Sequence, residues 1–353
     1  MNAIQITASK TVEDGNSLPT AAVYSFKNYE LNIGYYQDID SEINVEKCSN
    51  LGIKIARRSP GIGGGTIFID PNSYMNFSLV LRKDFFPDVD EAIKIFGAIV
   101  EKTYRNLGVT TARYKHVGDI VVQEEPVRLK LSGLGFGVYN NQLLGMSGFT
   151  VRLPNMKLFS TLASIPKEKY EDKGFKTVEE YLLQGITSIE KETGKCPSPI
   201  EVKNAFKSAF EETLGVSMTE GILSKEEQEP FKHYSKLFDS DEYRYLVSSK
   251  KRFNNIPKDY CLLLGRIKAR KLVVSHVLVN RDNIIKDVMF SGDWYGTTTI
   301  DDMKKVEKSL HSIPLHDLDK LHEKLNEMFK GAELIGVNTD NFIEAMTSAS
   351  KVK

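Results

Sequence analysis

Apolar residues recur at steps of three and four from Val89 to Leu107, through Ala92, Ile93, Phe96, Ile99 and Val100. This spacing predicts a helix that Asp88 caps and Gly108 ends. A second helix is predicted to open at Ser198-Pro199 with Glu201, with Val202, Phe206, Phe210 and Leu214 as its stripe and Gly215 as its stop. Asp40 to Leu51 also carries helical spacing and stops at Gly52. Short β-rich runs read as strands: AVYSF (22–26), LNIGYY (31–36), IKIARR (53–58), TIFID (66–70) and MNFSLVL (75–81). Their alternation predicts antiparallel strands, with a glycine loop joining the third to the fourth. GDIVVQ (118–123) and VRLKLSGLGFGVYN (127–140) read as a hairpin, and NQLLGMSGFTVRLP (141–154) as a further strand pair. KLVVSHVLV and IIKDVMFSGDW flank the turn NRDN, and helices follow at Ile300–Leu310 and Leu315–Phe329. Residues 1–20 are polar and read as a weakly ordered arm. Ser224 to Tyr234 reads as a charged linker or a solvated helix face.

The pattern is α+β: a large domain with a mixed or antiparallel sheet flanked by helices, and a small α+β C-terminal domain. Pro257, within Asn254–Asp259, marks the expected boundary, giving domains 1–252 and 253–353. Lysine plus arginine total 47, as do aspartate plus glutamate. This neutral balance speaks against a nucleic-acid coat and a broad membrane-binding face. No run approaches the roughly 20 apolar residues of a membrane span, and the start lacks a secretory pattern, so a cytoplasmic protein is expected. Three scattered cysteines argue against a disulfide framework or zinc ribbon.

Chemistry concentrates in four places. Arg57-Arg58 precede the loop SPGIGGG (59–65). Glycines admit backbone N–H groups close to an anion, and arginines present forked donors to phosphate or carboxylate. No Gly-Lys-Ser/Thr follows, so this is not a P-loop. The bland alternative is a flexible turn. Lys130 lies between Leu129 and Leu131 on a strand, so alternation sends it to solvent if the leucines are core. Its functional reading is a point charge that holds a carboxylate and a phosphate oxygen together. Asp119, at a strand entrance, is either an oxygen ligand for Mg²⁺ or a turn residue. The six histidines form no nucleophile setting, and the cysteines read as inert.

The order of these pieces resembles the lipoate–protein ligases of the biotin/lipoate ligase superfamily. The resemblance rests on Ala56-Arg57-Arg58, Gly63-Gly64-Gly65-Thr66-Ile67-Phe68, Asp70, Asp119-Ile120-Val121-Val122 and Lys130-Leu131-Ser132-Gly133. QGITSIEKETG (184–194), the aromatic segment Ser240–Tyr245, and FSGDWYG and ELIGVNTDNFIEAM in the last hundred residues extend it over most of the chain. Departures are Ile69 in place of His, a longer loop before the three glycines, Gly118 in place of Asn, and Met146-Ser147-Gly148 where His-Gly is common. The early strand and helix with a Leu-Ala-x-Glu-Glu signature are missing or divergent.

The resemblance implies a fold like that of class II aminoacyl-tRNA synthetases and biotin ligases. It implies ATP, lipoate and Mg²⁺ as ligands, and a lipoyl-AMP intermediate. Arg58, Gly63, Gly64, Gly65, Thr66, Ile67, Phe68 and Lys130 would hold ATP and the adenylate. Arg58, Gly64, Gly65, Lys130, Gly133 and Gly148 would hold lipoate in a tunnel over the central sheet. Lys130 is the expected catalytic residue and Asp119 the expected metal ligand. The expected partner is a lipoyl-acceptor protein: an E2 domain, a glycine-cleavage H protein or a dedicated lipoate-binding protein. The chain is expected to be monomeric, with no nucleic-acid or membrane partner. Rival readings are an ATP-independent octanoyl or lipoyl transferase on the same fold, and a degenerate member that binds lipoyl domains without chemistry. A thioester transferase needs a cysteine near the acyl chain, and none lies between residues 49 and 195.

Overall fold

The computed structural model describes residues 2–123, 128–171 and 174–351. Its main strands are β1 (Thr20–Tyr24), β2 (Glu30–Ile33), β3 (Lys54–Arg57), β4 (Ile67–Ile69), β5 (Tyr74–Arg82), β6 (Ala112–Lys115), β7 (Asp119–Gln123), β8 (Arg128–Gly133), β9 (Gly135–Tyr139), β10 (Gln142–Thr150), β11 (Tyr260–Lys268), β12 (Leu272–Asn280) and β13 (Ile285–Gly292). Its longer helices are α1 (Asn2–Glu13), α2 (Val89–Asn106), α3 (Pro199–Leu214), α4 (Lys225–Asp239), α5 (Ile300–Ser309), α6 (Leu318–Met328) and α7 (Thr339–Thr347).

The central antiparallel sheet has the order β1-β5-β10-β9. Phe77 pairs with Val23 on one side and Ser147 on the other, so these side chains share a face. On that face Phe77 stacks on Phe206 of α3 at 4.7 Å and meets Phe96 of α2 edge-on at 5.5 Å. The two helices form as their sequences dictate. The Asp88 side chain accepts the Glu91 N–H at 2.7 Å, and Ser198 with Glu201 forms a reciprocal capping box. The opposite face of the sheet is covered by α1. Gln5 donates to the Gly145 carbonyl at 3.0 Å, and Ser9 donates to that of Tyr139 at 3.1 Å. Ala3, Ile6, Val80, Leu144 and Met146 belong to one buried cluster that continues into Val273, Trp294 and Phe342 of the C-terminal segment. That segment folds as the sheet β13-β12-β11, extended by Ser350–Lys351, with α5 and α7 against it.

Several expectations are corrected. The stretch 1–20 is not a weakly ordered arm: α1 is an almost wholly buried helix, and it stands where the expected early helix had seemed missing. Several of its buried polar residues bond to other parts of the chain. Ser59 donates to Gln5 Oε1 at 2.8 Å, and Asn2 donates to the Arg57 carbonyl at 2.5 Å. Of the two readings of the segment after Ser224, the helix with a solvated face holds and the linker does not. Ser224 and Glu227 cap α4, and Glu227 is buried as acceptor for Thr11 and Ser17, which docks α4 on α1. The strands either side of the glycine loop do not pair with each other. β2 lies between them, parallel to β3 and antiparallel to β4. The run 127–140 breaks into β8 and β9, which enter different sheets, and the turn of its hairpin lies outside the described residues. The run 141–154 holds one strand, not two. Gly145 is no turn: it makes room for the Phe96 ring, 3.0 Å from where a Cβ would stand. Asp40–Leu51 splits into Ile39–Glu42 and Val45–Asn50, because Asn44 caps the second helix.

Two outcomes follow from this packing. Ile6 is 1% exposed, so Ile6→Ala is expected to lower the unfolding free energy by about 2–5 kcal/mol. A denaturant midpoint unchanged from wild type would show that α1 is not docked. Separately, Lys169 Nζ lies 2.8 Å from Asp293 Oδ2 and clasps the C-terminal segment. Burial alone would raise the Asp293 pKa, but the Lys169 and Lys271 ammonium groups outweigh it and hold the carboxyl below the usual range. A depressed folded pKa gives stability that is present above the unfolded value of about 3.9 and is lost as pH falls below it. Asp293→Asn should therefore flatten the acid limb of stability against pH below about pH 4, read by thermal melts.

Candidate active site

The glycine loop is held from beneath. Arg58 is buried, and its guanidinium donates to Asn32 Oδ1 at 2.9 Å and to the carbonyls of Gly63 and Gly65 at 2.6 Å each. Burial lowers its pKa to about 10, which leaves it charged. The Ile62 carbonyl accepts from the Tyr35 N–H at 2.9 Å, and the Gly64 N–H donates to the Asp293 carbonyl at 3.0 Å. Gly64 has φ +89°, and a Cβ there would stand 2.9 Å from an Arg58 nitrogen. At Gly63 a Cβ would run into the Trp294 carbonyl. The glycines are thus required by the close approach of Arg58 on one side and residues 293–295 on the other.

Lys130 projects from β8 beside a bulge: Ile120 pairs with Ser132 but Val121 pairs with Lys130, so Leu131 is the extra residue. The bulge re-aims the side chains locally. Leu131 turns into the core, and Lys130 Nζ lies 2.7 Å from Asp119 Oδ1, both side chains about one-third exposed. Burial works to lower the Lys130 pKa, but the Asp119 carboxylate outweighs it and the ammonium sits above the ordinary lysine range. Gly133 leaves space beside this charge, since a Cβ there would stand 3.1 Å from Nζ. Main-chain bonds at 2.9 Å from Lys130 N to the Gly185 carbonyl and from Thr187 N to the Lys130 carbonyl fix the backbone.

The predicted residues are partly brought together. Ser147 donates to the Gly133 carbonyl at 3.1 Å, and Tyr104 Oη lies 3.4 Å from both the Leu131 and Gly148 carbonyls, so Gly133 ends the Lys130 strand and Gly148 lies beside it. Gly65, Thr66 and Ile67 form the half-buried edge of the loop. Phe68 is elsewhere: it is buried between Tyr29 and Phe159, each ring 5.6 Å away. Arg58 lies under the loop rather than on an open face. Asp119 faces a lysine, and among the described residues no group of three His, Cys, Asp or Glu side chains gathers to hold a metal. This donor set does not fit a resident Mg²⁺. The described residues enclose an apolar gap of about 10 Å³ between β5 and α2 and a cleft of about 390 Å³ between Tyr245–Arg252 and α5. Neither is lined by a predicted site residue.

Residues that the sequence did not flag complete the site. Tyr295 reaches from the C-terminal segment to donate to the Leu134 carbonyl, and Lys271 Nζ donates to its hydroxyl at 2.9 Å. A Cβ at Gly118 would collide with that hydroxyl, and Gly118 has φ +89°. The only sequence cue was the SGDWYG run, legible by resemblance but not by spacing. Among the described residues, no helix is long and apolar enough to cross a membrane.

Comparison with known proteins agrees with this geometry. Residues 3–211, well over half of the chain, match the model of the lipoyl protein ligase A/B catalytic domain. The chain is 26% identical over 221 residues to lipoate-protein ligase A subunit 1 of Thermoplasma acidophilum, covering 60% of this chain and 79% of that one. It is 24% identical over 234 residues to octanoyltransferase LipM of Brevibacillus brevis, covering 61% and 82%. In fold it is similar to LipL1 of P. falciparum, solved in complex with lipoate, with a TM-score of 0.65 at 16% identity over 98% of this chain and 94% of that one. The match across residues 3–211 places the chain in the lipoyl protein ligase A/B catalytic domain family.

Proposed function

We propose that the protein is a lipoate–protein ligase that joins lipoate to ATP and then passes the lipoyl group to an acceptor lysine. The carboxylate oxygen of lipoate attacks the α-phosphorus, the α–β anhydride bond breaks, and pyrophosphate leaves with the electron pair. The ε-amine of an acceptor lysine then attacks the acyl carbon, the acyl–oxygen bond breaks, and AMP leaves as the nitrogen sheds its proton to solvent. The first step presses two anions together, so it needs a fixed positive charge and aligned donors.

The observation that carries this reading is the Lys130 ammonium, kept charged by Asp119 at 2.7 Å with Gly133 leaving room beside it. In this role Lys130 binds the carboxylate and then the acyl-phosphate oxygen. Gly63, Gly64, Gly65, Thr66 and Ile67 line the adenylate, while Phe68 braces the strand from the core. Arg58 is a positioning residue, since its donors are spent on the loop carbonyls. Asp119 orients Lys130 rather than binding metal. Gly148, beside the Lys130 strand, is assigned to the acyl chain. The acceptor is a lipoyl-type domain presenting a lysine.

The rival is the ATP-independent octanoyl or lipoyl transferase. The relative named an octanoyltransferase favours it, while the absence of any cysteine from 49 to 195 counts against a thioester route. Incubation with ATP and lipoate should release pyrophosphate and form lipoyl-AMP, and mass spectrometry should find acceptor domains heavier by one lipoyl group. Octanoyl transfer between carrier domains without ATP would replace the ligase reading. Calorimetry showing neither ATP nor lipoyl-AMP binding would instead point to a non-catalytic lipoyl-domain binder. Lys130→Ala should cut lipoyl-AMP formation by about 100-fold or more, with a circular dichroism spectrum like wild type. Adenylate formation at the wild-type rate would remove Lys130 from its role.

A further inference from the structure

Lys271 is 8% exposed and immediately precedes β12. Its ammonium donates to Tyr295 Oη at 2.9 Å and lies 4.2 Å from the centre of that ring. The carboxylates whose charges bear on it are engaged elsewhere: Asp119 with Lys130 at 2.7 Å and Asp293 with Lys169 at 2.8 Å. Burial lowers the Lys271 pKa to about 8. Asp293 and Asp119 oppose that fall, and Lys130 and Lys169 add to it.

The placement is built rather than accidental. The Lys271 N–H donates to the Gly336 carbonyl at 2.9 Å, and a Cβ at Gly336, with φ +87°, would strike the lysine stem. Gly118 leaves space in the same way for the Tyr295 hydroxyl. One glycine in a left-handed conformation therefore accommodates the lysine, and another accommodates the phenol that receives it.

Among the described residues the local charge is unbalanced. Arg58, Lys130, Lys169 and Lys271 face the two carboxylates of Asp119 and Asp293, while burial pushes the Glu42 carboxyl toward its neutral form. A largely buried excess of cations is costly unless an anion sits among them. The loop approaches the same place, since a Cβ at Gly65 would stand 3.3 Å from Lys169 Nζ.

We propose that Lys271, presented on Tyr295 from the C-terminal segment, is a phosphate-binding cation of this site and receives the pyrophosphate that leaves during nucleotide activation. This rests on the ligase reading and adds to it a subsite for the leaving group. Lys130 serves the bond that forms between carboxylate oxygen and α-phosphorus. Lys271 offsets the electron pair that the breaking α–β bond leaves on the β-phosphate oxygen. No proton transfer is required in that step.

The test is calorimetry of inorganic pyrophosphate with the full chain. Wild type should bind it saturably, and Lys271→Met, which keeps the apolar stem, should weaken binding about tenfold or more. Lys271→Met should keep the wild-type circular dichroism spectrum, because Asp293 retains its ion pair with Lys169 and Lys271 forms no ion pair among the described residues. Pyrophosphate binding unchanged in Lys271→Met, or absent from wild type, overturns the proposal, and an unchanged affinity with a lower melting temperature marks the lysine as structural. Should Lys271→Met fail to fold, Lys271→Gln carries the same comparison. The two readings fail separately. A wild type that makes lipoyl-AMP while its Lys271 variants bind pyrophosphate normally keeps the ligase and loses this subsite. A wild type that binds pyrophosphate through Lys271 but forms no adenylate keeps the subsite and loses the ligase.

Discussion

Two adjacent guanidinium groups are buried with no carboxylate among the described residues bonded to either, and the architecture of the site is arranged to satisfy them. Arg57 donates to the carbonyls of Tyr35 and Gln37 at 2.9 and 2.7 Å and, from the other side of its fork, to those of Arg244 and Val247. Arg58 turns the opposite way, as alternation on β3 requires, and donates to Asn32, Gly63 and Gly65. A buried cation is tolerable when its donors are met. Here the acceptors, the Asn32 side chain apart, are main-chain carbonyls from three separated segments, so satisfying the charge also fixes where those segments sit. The glycine loop is held in place by the same bonds that make Arg58 tolerable.

That constraint passes outward through close backbone contacts. Gly63 and Gly64 allow residues 293–295 to lie directly on the loop, and Gly135 and Gly137 allow Ile62 and Gly61 to lie directly on β9. Each contact replaces a side chain by backbone, which shortens the distance between sheets and leaves little tolerance for a Cβ. The N-terminal helix completes the arrangement from the other side. It satisfies Ser59 through Gln5 and, with Ile62 of the loop, covers one face of β5 and β10.

Much of this was legible in the sequence, and the reason it was legible differs by element. α2 and α3 carry strong apolar periodicity and complete capping signals, so local physics alone determines them. α1 carried no such signal. Gln5, Ser9 and Thr11 look like surface residues until their partners are known, and Ser59 and Glu227 lie 54 and 216 positions away from Gln5 and Thr11. A glycine such as Gly145, demanded by a neighbouring Phe96 ring, is indistinguishable in sequence from one demanded by φ. Within the site, Lys130 was found through its motif, although alternation with two leucines gave the opposite expectation. The bulge at Leu131 resolves that conflict by breaking the two-residue period. Lys169, Lys271 and Tyr295 escaped notice because nothing in their local spacing connects them to a strand more than 30 residues away.

The departures from the family pattern read differently once the C-terminal segment is in view. Gly118 stands where an asparagine is common, and a polar side chain is lost there. The structure fills that space with the Tyr295 hydroxyl, which donates to the Leu134 carbonyl while Leu134 donates its own N–H to the Gly118 carbonyl at 2.7 Å. A polar group thus remains at the entrance to β7, but it now comes from a residue 177 positions later in the chain. Restoring a longer side chain at 118 would collide with Tyr295, so the two positions constrain each other. The glycine is therefore the complement of a tyrosine delivered in trans to its strand, and the loss seen in one motif is matched by a gain that no motif encodes.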